Sequence, residues 1–84
     1  AAAAHLAAAL HVNSSLRKLW LNYCQIGDAG AFQLAAALQV NTSLTWLSLY
    51  TNSITDGAVV ELAAALHLNS SLEFLDLGEN PIKE

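Results

Sequence analysis

Leu16–Ile26 reads LRKLWLNYCQI, Leu44–Ile54 reads LTWLSLYTNSI, and Leu72–Ile82 reads LEFLDLGENPI. Each is Leu-x-x-Leu-x-Leu, two further residues, Cys or Asn, one residue, and Ile, and the copies start 28 residues apart. A fixed period of about 20 to 50 residues marks a solenoid, whose units bury their apolar faces only against one another.

The period extends outward from these segments. Ile26 and Ile54 are followed by GDAGAFQLAAALQVNTS and TDGAVVELAAALHLNSS, and HLAAALHVNSS at 5–15 is the last part of the same unit. The 84 residues therefore divide into a partial repeat at 1–15, whole repeats at 16–43 and 44–71, and a partial repeat at 72–84. Together they make a single segment without polar capping units at either end, which predicts a piece of a longer protein whose neighbouring repeats cover its flanks.

Within each unit the periodicity changes. Leu19 and Leu21, like Leu47 and Leu49, alternate with other residues, which places them on one face of a short strand. Strands are expected at Leu19–Leu21, Leu47–Leu49 and Leu75–Leu77. Leu34, Ala37 and Leu38, with Leu62, Ala65 and Leu66, fall at helical intervals, predicting helices over 30–39 and 58–67. Asp28 and Asp56 stand where a carboxylate would cap the helix start, and Gly27, Gly30 and Gly57 would ease the turn into it. Asn13, Asn41 and Asn69 follow the helices, where asparagine tolerates a left-handed backbone. The alanines keep the helices slim. Ala1–Ala4 fit equally a genuine helical turn and a stretch standing in for unidentified side chains, and no chemistry is attached to them.

Composition excludes several classes. The net charge is −4, with Arg17, Lys18 and Lys83 as the fixed cations, so a nucleic-acid partner, which needs clustered Lys and Arg, is disfavoured. No apolar run reaches the ~18 residues of a membrane span, and no membrane partner is expected. A single cysteine leans toward a reducing, cytoplasmic compartment. His11 and His67 occupy one phase two repeats apart. Helices packed ~8–10 Å apart would separate them by ~16–20 Å, too far for a shared metal. Three Asn-x-Ser/Thr sequons, at Asn13, Asn41 and Asn69, recur with the repeat at the helix-to-strand turn, and turn chemistry accounts for them without a sugar. No phosphate loop, nucleophile with a placed base, or ligand cluster is present, so neither enzyme activity nor a cofactor is expected.

These motifs resemble the leucine-rich repeat family, in its ribonuclease-inhibitor-like class, and are most similar to repeats of NOD-like receptors and of ciliary or axonemal leucine-rich proteins. The resemblance implies an α/β horseshoe with parallel strands on the concave face and helices on the convex face. It also implies a ladder in which the side chains of Cys24, Asn52 and Asn80 bond the loop backbone between repeats, a buried structural role for the thiol. It leaves two non-enzymatic roles open: a recognition module of a regulatory protein, or a scaffold subunit of a large assembly such as an axonemal complex. Residues between the strand leucines must face the concave side, and five of the six aromatic residues lie there. Trp20, Tyr23, Trp46, Tyr50 and Phe74, with the acidic edge Asp76 and Glu79, form the candidate protein-binding strip, since exposed aromatic groups are the usual anchors of an interface.

Overall fold

The computed structural model describes residues 2–83. The elements run α1 (Ala2–Val12), β1 (Lys18–Trp20), α2 (Gly27–Leu38), β2 (Trp46–Ser48), α3 (Asp56–Leu68) and β3 (Phe74–Asp76). The three strands form one parallel sheet in the order β1-β2-β3. Lys18 pairs with Trp46 and Trp46 with Phe74, so the register is the 28-residue phase itself. Parallel strands need crossover connections, and α2 and α3 supply them. Helix α2 packs against α1 on one side and α3 on the other, giving a helical layer behind the sheet.

Leu34 and Leu38 from α2, Leu62 from α3, and Leu44, Leu47, Leu49 and Ile54 from the second whole repeat meet between the layers and are fully buried. Each such side chain contributes about 1.5–3 kcal/mol of transfer free energy. Ala31, Ala35, Ala37, Ala58 and Ala65 are buried at the helix contacts, where their small size lets the helices approach.

Several local expectations are corrected. The strands begin and end one residue before the expected triplets, because the ladder starts where Thr45 and Trp46 both donate to the Arg17 carbonyl (2.7 and 3.1 Å). Helix α2 begins three residues earlier than expected and α3 two, and both thus absorb the glycines. Gly30 is a packing glycine rather than a turn residue. A Cβ there would lie 2.7 Å from Ile26 and 2.9 Å from Ala3, so a side chain would drive α1 from α2. Gly27 does need its freedom, with φ +67° at the helix entry.

Asp28 and Asp56 lie in the first turns of α2 and α3, and neither helix start shows a side-chain cap hydrogen bond. Their carboxylates reach the next repeat instead. The Asp28 carboxylate accepts the Thr55 backbone N–H at 2.7 Å and the Thr55 hydroxyl, and Asp56 accepts the Lys83 N–H at 2.7 Å. Asn69 is also not left-handed (φ −83°, ψ 131°). The left-handed residues other than Gly27 are, among those described, Tyr23, Gln25, Thr51, Ser53 and Glu79, in the loops that follow the strands.

Candidate functional site

Two asparagine ladders bracket the sheet and hold its outer face in place. At the strand exits, Asn52 donates to the Leu21 carbonyl (2.8 Å) and accepts from the N–H groups of Cys24 and Ile26 (2.9 and 3.2 Å). Asn80 repeats the pattern, donating to the Leu49 carbonyl and accepting from Asn52 and Ile54. Cys24 occupies the same phase yet is exposed, its thiol directed at the Asn22 carbonyl (3.4 Å). Its expected burial does not hold: β1 is the sheet edge in the described residues, and no loop packs over the sulfur.

The second ladder lies at the strand entries and was not anticipated from turn chemistry. Asn41 donates to the carbonyls of Leu10 and Asn13 (2.8 and 3.0 Å) and accepts from the N–H groups of Ser43 and Leu44. Asn69 does the same one repeat on, to Leu38, Asn41, Ser71 and Leu72. Both amide hydrogens of Asn41 and Asn69 are thereby engaged, so a sugar on either nitrogen would break the ladder. The signal was the 28-residue recurrence of Asn itself, since a turn alone tolerates Ser, Asp or Gly as well.

The candidate strip is carried by the face turned away from the helices. Trp46 is its centre. Phe74 stacks on it at 3.8 Å between centroids and 20° between planes, and Trp20 lies tilted at 6.1 Å. The Lys18 ammonium sits 5.2 Å from the Trp46 ring centroid, a cation–π contact. Trp46 is therefore half-buried among its neighbours, and its indole N–H is buried without an acceptor among the described residues. Trp20, by contrast, is 55 % exposed and Tyr23 71 % exposed. Tyr23 makes an edge contact to Tyr50 at 5.8 Å, so the seven candidate residues fall into two clusters, one around Trp46 and one around Tyr50.

Residues that the aromatic pattern passes over shape the second cluster. Asn22 accepts from the Ser48 hydroxyl at 2.6 Å and from the Tyr50 N–H at 3.2 Å, which pins the start of the loop. Gly78 leaves room for Tyr50: a Cβ there would stand 3.0 Å from the ring and 3.0 Å from Asp76 Oδ1. Asp76 uses that oxygen to accept the Gly78 N–H at 2.8 Å. Burial, then the charges of Glu79, Tyr23 and Asp76, push the Tyr50 phenol above its ordinary range. At the start of α2, hydrogen bonds from the Thr55 hydroxyl and then the Thr55 N–H hold Asp28 below the usual carboxylate range, against a smaller effect of burial.

Among the described residues no group of three His, Cys, Asp or Glu could hold a metal ion. No helix among the described residues is long and apolar enough to cross a membrane.

A family model described as Leucine Rich repeat matches residues 12–35, which span the end of α1, β1 and the first turns of α2. The fold is that of a leucine-rich repeat solenoid. Among solved structures, one titled Leiomodin-1 Actin-Binding Site 2 superposes with a TM-score of 0.90 at 25% sequence identity, covering 99% of this chain. This chain spans about half of that one, 49% of its length. No curated protein sequence matches.

Proposed function

We propose that these leucine-rich repeats form a non-enzymatic protein-interaction module of the ribonuclease-inhibitor-like class, which binds a protein partner through its concave face and works in the cytoplasm. The observation that carries the proposal is the exposure of aromatic surface where the fold does not need it. The leucines of the strands build the core from the other face, while Trp20 and Tyr23 stand more than half exposed. Large aromatic groups on a solvated sheet face are the usual anchors of an interface. Asp76 and Glu79 would select basic surface on the partner at the rim.

The likeness to an actin-binding region of leiomodin-1 makes actin the first partner to test and favours a cytoskeletal setting. The same likeness is the specific reason to keep the scaffold alternative, in which the repeats are held permanently in a filament-based assembly such as an axonemal complex.

The test is binding of purified actin, monomeric and filamentous, to the chain and to Trp20→Ala and Phe32→Ala. Phe32 is an exposed aromatic residue on α2 and serves as the control for the opposite face. Trp20→Ala is expected to weaken binding by about 2 kcal/mol, as for a hot-spot tryptophan, and Phe32→Ala to leave it unchanged. The opposite order of effects would move the contact to the helical face. If neither form of actin binds, actin is excluded as the partner.

A further inference from the structure

The cluster around Tyr50 differs in kind from the one around Trp46. Trp46 has an aromatic ring stacked on it and a cation beside its ring, both supplied by this chain. Tyr50 has one aromatic neighbour, Tyr23, and two carboxylates nearby, Asp76 and Glu79. No side-chain cation pairs with those carboxylates among the described residues. Arg17 donates to the Ser43 carbonyl at 3.2 Å, and Lys18 lies over Trp46.

The backbone adds a second observation. Tyr23 and Glu79 hold φ values of 59° and 53°, a left-handed conformation that a bulky residue adopts rarely and at a cost in stability. Asparagine or glycine would sit there more easily. These two side chains are thus the costly choice for the fold and, being exposed, add little to the core. Gly78, in turn, gives Tyr50 the space it occupies beside Asp76.

We propose that Tyr23, Tyr50, Asp76 and Glu79 form a seat for one lysine or arginine side chain, carried by an extended segment of the protein partner. The assignment rests on the concave-face reading given above and names what this part of the face selects. The carboxylates supply charge complementarity, and the two phenol rings offer π surface, a combination that favours a cation over a neutral or acidic side chain. A second copy of this chain has one fixed cation left to offer, Lys83, since Arg17 and Lys18 already have partners within their own chain.

The test uses the full chain and acetylated, amidated peptides Gly-Ser-X-Ser-Gly, with X as Arg, Lys, Gln or Glu, followed by the NMR signals of the tyrosine rings. The Arg and Lys peptides should shift the Tyr23 and Tyr50 rings saturably, and the Gln and Glu peptides should not. Asp76→Asn combined with Glu79→Gln should weaken the Arg peptide about fivefold to tenfold. Tyr23→Asn should weaken it as well while leaving the melting temperature equal or higher, a result that a merely structural tyrosine would not give. An equal response to the Gln peptide, no response to any peptide, or an Arg response indifferent to the carboxylate variants would each overturn the seat. Loss of the seat with Trp20-dependent partner binding intact would leave the concave-face reading standing. Loss of that binding as well would remove both.

Discussion

The second whole repeat and its two flanks contain the same leucines in the same phase, and they differ sharply in burial. Leu44, Leu47 and Leu49 are 0% exposed, whereas Leu16 is 37% exposed and Leu72, Leu75 and Leu77 are only half-buried. The sequence pattern is shared, so the difference is one of neighbours. Burial in this fold belongs to the stack and not to the repeat, and an identical substitution should cost more in the middle than at either side.

Four measurements test this contrast. The largest effect is expected for Leu47→Ala, at about 3 kcal/mol of unfolding free energy in denaturant titrations, with Leu19→Ala and Leu75→Ala losing about half as much. Equal losses at all three positions would break the comparison. Asn52→Ala comes next, at about 2 kcal/mol. It strips the N–H groups of Cys24 and Ile26 and the Leu21 carbonyl of their shared partner. Cys24→Ala, at the same phase but exposed, should stay within about 0.5 kcal/mol.

The aromatic row carries the third. Trp46→Ala should destabilise by about 1–2 kcal/mol through its lost ring contacts yet leave the repeats folded, with Trp20→Ala costing less. Similar values for the two would show that the row does not depend on its centre. The smallest effect is one of pH. Asp28 is held below the ordinary carboxyl value of about 3.9 in the folded chain. Its contribution is therefore present above that value and lost as the pH falls through the folded one. The melting temperature should drop on acidification below about pH 4, and less steeply in Asp28→Asn. Identical acid profiles for the two chains would mean that the clamp onto Thr55 is energetically silent.

The layer order and strand register could be read from the leucine spacing, because one apolar period admits a single stacking. The exit ladder at Asn52 and Asn80 followed from resemblance to a known repeat. The entry ladder did not, since Asn41 and Asn69 fit a solvated turn just as well. Whether an Asn side chain caps its own turn or crosses to the previous repeat depends on the distance between repeats, which residue type alone does not encode. The same limit applies to Asp28, whose place near a helix start suits a cap until Thr55 is seen to lie within reach. At the candidate site the seven residues could be placed on one face from their phase. That Trp46 would be covered and Trp20 left open could not, because it depends on ring orientation and on where the Lys18 side chain comes to rest.

The pair of asparagine ladders has a mechanical consequence. One runs across the entries of the strands and the other across their exits, so the two whole repeats are riveted together at both ends of a short span, while each flanking partial repeat is held by one row, Asn41 on one side and Asn80 on the other. A force that slides one repeat along another must break both rows together and also turn the leucines out of register. A force that lifts a flanking partial repeat away from the stack meets the single row of that joint alone. The assembly is thus rigid in shear and yields by peeling, one repeat at a time from its edges. A partner seated across several strands, as the aromatic row would hold it, tightens the joints that are otherwise the first to open.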